Sequence, residues 1–321
     1  MTDDPTAGDA TPTDGGAAPT ADDAAPTVGE VASTVDDAAP TADEAATGAS
    51  SVRPGAFAAT ESVFHRELAT IRRSRAYLGL AGGFLMAVVG LTLFGGGVAT
   101  GYVPLVVDLL TYVEVLVPAV AFALGYRAVL DDRTNGELAV MRTFPLSRAS
   151  YVAGVFAARG LALAALVVVP LAVVGVLAFL QPEQAGSIYA TTTGADSPVL
   201  YVRFVALTVL YGLVSLAAAV AVSATARSVR SGVVVAVLAV AVLSLGADLL
   251  LLGGLARGAV GDGALGTTLV LSPASAYRGL VMTSVVGATT AGATLVSPLA
   301  AAGSLVAWAA GLLAVAVRRV W

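Results

Sequence analysis

The chain contains no cysteine and no lysine, and its single histidine is His65. Each absence removes a class of chemistry. Without cysteine there is no disulfide, no thiolate metal site and no cysteine nucleophile. Without lysine there is no Walker A loop, whose lysine must reach the nucleotide phosphates, so no such ATPase site is expected in this chain. A zinc protease needs several His or Cys ligands, and a serine protease of the membrane needs a serine with a histidine at depth. His65 precedes the first long apolar run and supplies neither. Charge is also scarce, at 12% of residues, where a soluble domain carries about 25%.

Hydrophobicity is what the chain has in excess. Of its 321 residues 57% are hydrophobic, with a mean hydropathy of +0.86. That composition belongs to an integral membrane protein. The overall charge of −5 is unevenly spread. Residues 1–52 hold 11 acidic and no basic residues, whereas the remainder holds 11 acidic residues and 17 arginines.

Residues 1–54 are built from Ala, Thr, Asp, Pro and Gly, in a loose repeat seen at Ala24-Ala25-Pro26-Thr27 and Ala38-Ala39-Pro40-Thr41. A segment this poor in large apolar side chains cannot offset its ordering entropy by burial and is expected to be a disordered acidic tail. It holds no apolar run, so it does not read as a signal peptide. Residues 55–76 differ. Phe57, Phe64, Leu68 and Ile71 recur at helical spacing, with Arg66, Arg72, Arg73 and Arg75 mostly elsewhere around the helix. This predicts an amphipathic helix in the membrane interface.

A helix needs about 20 apolar residues to cross the hydrocarbon core. Six candidates follow, at about 77–98, 105–126, 160–180, 204–226, 232–252 and 299–317. Arginines choose the orientation. Thirteen fall on one side: Arg66, Arg72, Arg73, Arg75, Arg127, Arg133, Arg142, Arg148, Arg159, Arg227, Arg230, Arg318 and Arg319. Three, Arg203, Arg257 and Arg278, fall on the other. The expected fold is therefore all-α and polytopic, with both termini cytoplasmic, in the cell (plasma) membrane. The stretch 253–298 is too long for a turn and too apolar for a solvated loop, and reads as external short or re-entrant helices.

Few residues within the spans could carry chemistry. Glu114 lies well inside the second span, and a charge at the bilayer centre costs roughly 2.5–3.5 kcal/mol even on lenient scales. It reads either as part of a translocation path or as a structural partner of Arg203. Asp108, Arg203 and Asp248 share one outer depth and could meet there. Pro118 and Pro170 fall mid-span, where each removes a backbone donor. Gly79 and Gly83 form a GxxxG pair of the kind that favours close helix packing.

The polar island 131–148, within a connection running 127–159, stands out against this apolar background. Leu138, Val140, Met141, Phe144 and Leu146 are interleaved with Asp131, Asp132, Glu137, Arg133, Arg142 and Arg148. Gly136 and Pro145 punctuate it, which predicts a short helix over 137–143. A short helix with apolar anchors and charges of both signs suits a protein groove.

The same island carries a family resemblance. Asp131-Asp132-Arg133-x-x-Gly136-Glu137-Leu138, then Phe144-Pro145-Leu146-Ser147-Arg148, then Tyr151-Val152-x-Gly154, resembles type-2 ABC transporter permeases. It is most similar to the branch related to the nitrous oxide reductase maturation permease, although Val155 follows Gly154 where lysine is usual. Phe64-His65-Arg66-Glu67-Leu68 through Arg75 resembles the family's interfacial helix, and Ser272 through Arg278 its Pro-centred stretch before the last span. The likeness covers about 57–321.

The resemblance implies a non-catalytic transmembrane permease subunit, an exporter, driven by a separate ABC ATP-binding subunit. The ATP and Mg would be held in that partner, and this chain would bind no cofactor or metal. The contact with the ATPase would run over Glu137, Met141, Arg142, Phe144, Pro145 and Arg148. A second permease copy or paralogue would complete the assembly in the lipid bilayer, with no nucleic acid involved. The branch name suggests copper or sulfur supply, yet a soft-metal path wants several Cys, His or Met ligands, and this chain has no Cys, one His and four Met. The rival readings are a proton-coupled secondary transporter using Glu114 and Asp108, or a non-transporting membrane scaffold.

Overall fold

The computed structural model describes residues 56–95, 101–144, 146–180, 197–257, 270–287 and 297–321, without the side chains of 56, 245, 247, 248, 250, 251 and 255. The acidic tail, Pro145 and the stretches 258–269 and 288–296 lie outside the described residues. The described elements are helical throughout. In chain order they are α1 (Ala56–Arg73), α2 (Arg75–Gly95), α3 (Tyr102–Gly125), α4 (Leu130–Thr134), α5 (Glu137–Met141), α6 (Arg148–Leu180), α7 (Pro198–Thr225), α8 (Val229–Ala241), α9 (Ala247–Ala256), α10 (Pro273–Val281) and α11 (Pro298–Arg319). Two π-helical stretches interrupt the later part: Val242–Gly246 joins α8 to α9, and Met282–Val286 follows α10.

Five helical stretches, 75–95, 102–134, 148–180, 198–225 and 298–319, are long and apolar enough to cross a membrane. The segment expected at 232–252 is helical in three pieces, α8, the π-helical stretch and α9. The third long helix begins at Arg148 rather than near 160, so residues 148–159, read as connection, extend α6 by three turns. Ser147 starts it by accepting a hydrogen bond from the Ser150 backbone N–H at 3.0 Å. Ser150 and Tyr151, the next residues, are buried.

The bundle centres on α3 and α7, whose facing sides are lined by fully buried Leu105, Val113, Val117, Phe204, Tyr211 and Leu216. Their approach is close enough that a Cβ on Gly125 would stand 2.5 Å from the Ala219 Cβ. On α2 and α11, large apolar side chains such as Phe94 and Leu299 point outward, as lipid contact requires. Gly79 and Gly83 meet nothing within 4 Å, so the GxxxG pair packs no helix of this chain among the described residues.

Helix α1 lies against the start of α6. The side it buries is Ala59, Val63, Glu67 and Ile71. Of the apolar residues read as facing a membrane interface, Ile71 joins the buried side while Phe57 is 84% exposed. On the buried side Glu67 accepts from Arg159 of α6. Gly154 makes the crossing possible: a Cβ there would stand 2.7 Å from Val63 Cβ and 2.8 Å from the Thr60 carbonyl oxygen.

Gly154→Ala should therefore lower thermal stability in detergent, on the overpacking scale of about 1–3 kcal/mol. Gly83→Ala, which meets open space, should leave it unchanged or slightly raised. An unchanged melting temperature for Gly154→Ala would contradict the crossing.

Candidate functional site

The connection between α3 and α6 forms one end of the bundle, called here the loop end. Two short helices shape it. Gly136 separates them in a left-handed conformation (φ 77°) that a side chain would strain. Leu130 and Leu138 point inward and are buried, which anchors α4 and α5 to the bundle.

Beneath them lies a network of charges. Arg66 on α1 donates through Nη2 to Asp132 Oδ2 at 2.7 Å and to Glu67 Oε1 at 3.1 Å, and through Nη1 to Glu137 Oε2 at 3.2 Å. The Tyr151 hydroxyl donates to the same Asp132 oxygen at 2.6 Å. Arg159 on α6 donates through Nε to Glu67 Oε2 at 3.1 Å, and through Nη1 to the Leu124 carbonyl. Two buried carboxylates, Glu67 and Asp132, are thus matched by two guanidinium groups. Burial alone would lower the Arg66 pKa. The hydrogen bond to Asp132, with the charges of Asp132 and Glu67, outweighs burial and holds it above the usual arginine value.

Sequence reasoning missed Glu67, Tyr151 and Arg159 as members of this network. Glu67 carried a signal, since it stands at the i, i+4 spacing of Ala59, Val63 and Ile71. The residues that sequence did single out have different fates. Glu137 is exposed and paired with Arg66, and Met141 is half-buried with its Sδ 4.0 Å from Arg66 Nη1. Arg142 stacks over the Trp321 ring at 5.9 Å. Phe144 is 63% exposed, and Arg148, also exposed, opens α6. Pro145 is outside the described residues. A groove of about 430 Å³ runs between α1 and the loop, lined by Ala58, Ala59, Ser62, Val63, Arg66, Met141, Phe144 and Leu146.

The second charged group lies within the bundle. Glu114 is buried, and its Oε2 accepts from Arg278 Nη2 at 2.7 Å and Nε at 3.1 Å. Its ion pair is thus with Arg278 on α10 and not with Arg203. Arg203 instead donates to the Ser284 carbonyl at 2.6 Å. Asp108 lines a small cavity with Thr92 and Tyr112, and makes no ion pair with Arg203 among the described residues. The side chain of Asp248 is outside the described set, so of the outer cluster expected with Asp108 and Arg203 only those two are described. Tyr211 and Tyr277 stack beside the pair at 4.6 Å, and Tyr211 donates to the Glu114 carbonyl at 3.2 Å. The Thr208 and Tyr277 hydroxyls share a hydrogen bond of 2.8 Å. Val270 and Leu271, just before α10, accept from Ser304 Oγ at 2.6 Å and Trp308 Nε1 at 2.9 Å. Val270 and Leu271 therefore pack beside the first half of α11.

Among the described residues no three His, Cys, Asp or Glu side chains are grouped to hold a metal. The two charged groups are built from ion pairs between helices. Both join helices, one at the loop end and one inside the bundle.

Comparison with known proteins bears on the same features. Residues 18–320 match the profile of the ABC-2 family transporter proteins. The probable ABC transporter permease protein NosY of Pseudomonas aeruginosa is 30% identical over 226 residues, covering 68% of this chain and 79% of that protein.

Two measurements test the geometry. Tyr151→Phe removes a hydrogen bond to a buried carboxylate and should cost about 1.5–3 kcal/mol in detergent unfolding. Removing one partner of a buried ion pair costs about 3–5 kcal/mol, and the half-exposed Arg278 side chain puts Glu114→Leu or Arg278→Leu at or below the low end of that range. The double variant should regain most of the loss. Strictly additive losses would show that the two residues do not act as a pair.

Proposed function

Because the chain belongs to the ABC-2 family of transporter proteins, we propose that its loop end is where a separate ATP-binding subunit docks and drives it. The chain is the membrane permease subunit of an ABC-2 type transporter, a family whose permeases typically pair with ATP-binding subunits. The observation that carries the proposal is the two-sided character of the loop. One side is fixed to α1 and α6 through Arg66, Asp132 and Tyr151. The other side presents Val140 and Phe144 to solvent beside the groove. A segment that relays force needs both a rigid attachment and an open apolar contact.

Within this reading the contact centres on Phe144, with Val140, Arg148 and Pro145 around it. Glu137 and Met141 tie the loop to Arg66 on α1, and Arg142 ties it to Trp321. The loop end faces the cytoplasm, where the arginine excess belongs. We take 229–256, helical in three pieces, as the sixth span, since its length reaches across the hydrocarbon core of about 30 Å when the pieces lie end to end. Two permeases, identical or paralogous, pair with two ATPases. ATP and Mg reside in the ATPases, whose nucleotide-driven closure draws the loops together and switches the spans toward export. The likeness to a nitrous oxide reductase maturation permease is carried as a branch assignment only. The proton-coupled alternative has less support, since Glu114 is held by an arginine.

Capture of the cognate ATP-binding subunit by the solubilised permease, followed by vanadate-sensitive ATPase assays, tests the proposal. The Phe144→Glu plus Arg148→Glu double variant should lower capture about tenfold or more, a loss of at least about 1.4 kcal/mol. No captured ATPase would sink the motor reading. Undiminished capture by the double variant would move the contact elsewhere.

A further inference from the structure

We propose that Arg133 is the positioning residue that carries displacement of the loop to the ends of α7 and α11, two helices to which the loop is not directly joined. The inference rests on the ATPase docking reading and extends it to the transmission step. Covalently, the loop connects only α3 and α6. Arg133 adds other connections. Its Nη1 donates to the Ala226 carbonyl at 2.8 Å. Its Nη2 donates to the carbonyls of Ala224 at 2.9 Å, Arg319 at 2.9 Å and Val320 at 3.1 Å. One guanidinium thus gathers four carbonyls from the ends of two separate helices.

The chemistry fits this task. The last carbonyls of a helix have no intrahelical donor and form its negative dipole end. A planar guanidinium presents five donors in a fixed fork and can bridge several such oxygens, which an ammonium cannot do with the same geometry. Neighbouring contacts tie the same parts together. Ser223 Oγ near the end of α7 accepts from the Val129 and Leu130 backbone N–H groups at 2.9 and 3.0 Å. Val320 is fully buried. Trp321 lies 5.7 Å from the Tyr151 ring, with Arg142 over its face. A pull on the loop is therefore a pull on α7 and α11 as well, provided these bonds persist through the cycle.

A static cap would show the same bonds, so the test must read motion. The absence of native cysteine allows single cysteines to be placed for spin labels. Thr143 in the loop, Thr225 at the end of α7 and Phe94 at the opposite end of α2 are all exposed. The labelled permease, diluted with unlabelled copies and bound to its ATPase in nanodiscs, is compared without nucleotide and after ATP–vanadate trapping. In the otherwise native chain, the Thr143→Cys to Thr225→Cys distance should stay constant while the Phe94→Cys to Thr225→Cys distance shifts. With Arg133→Gln, trapping should lengthen the first distance by about 2–5 Å, the scale of helix shifts in switching transitions, and reduce the shift of the second. Arg133→Lys should fall between, and it serves as the variant should Arg133→Gln not fold.

Trapped distances in Arg133→Gln and Arg133→Lys that match those of the native residue would overturn the inference and leave Arg133 a static cap. Failure of the native chain to bind the ATPase, or to move at all on trapping, would instead overturn the docking reading and this inference with it.

Discussion

The constraint on which the loop end depends is that its charges must be neutralised before they reach the apolar helices. Glu67 and Asp132 are buried carboxylates, and each would be costly if left alone. Arg66 and Arg159 match them one for one, and the Tyr151 hydroxyl takes a further Asp132 lone-pair site. Because the four charged residues come from α1, α4 and α6, neutrality fixes geometry. Helix α1 cannot roll without withdrawing Glu67 from Arg159. The loop cannot lift without stripping Asp132 of both its donors. A network of this kind adds little to net stability against an apolar alternative, but it admits few arrangements.

This explains why the side that α1 turns to the bundle carries a carboxylate among Ala59, Val63 and Ile71. Apolar periodicity weighs each side chain by its preference for water, and it counts Glu67 against burial. In the folded chain the ion pairs outweigh that preference, and Ala59 and Val63 follow Glu67 onto α6 while Phe57 is left outside. Gly154 completes the fit, since only a residue without a Cβ lets the α1 backbone come this near.

The long helices were legible because each is a local property: some twenty apolar residues declare a span wherever they occur. The polar island was legible for the same reason. What could not be read was pairing across distance. Glu114 finds Arg278, 164 positions away in a stretch that resembles neither a span nor a loop. Arg203 was the nearer guess by depth, but its guanidinium is engaged by the Ser284 carbonyl. The start of α6 was hidden as well. Arg148 and Arg159 look like loop residues by charge, yet α6 begins at the first and runs on through the second.

The two charged groups differ in a way that bears on movement. The loop-end network joins four elements, α1, α4, α5 and α6, which suits a block that moves as one. The Glu114–Arg278 pair joins an unbroken helix, α3, to a short one, α10, whose continuation is π-helical. A π-helical stretch is a place where a helix can change direction. A second such stretch, Val242–Gly246, lies close by, with Ser244 Oγ 3.5 Å from the Glu114 carbonyl. Glu114 is buried and would be left uncompensated without its partner, so on the proposed reading relative movement of α3 and α10 keeps Glu114 and Arg278 together. The π-helical stretches lie near that pair, one through Ser244 at the Glu114 carbonyl and the other directly after α10, so bending there would leave it intact. On the proposed reading the molecule is rigid where it is gripped, and it bends beside the ion pair that holds α3 to α10.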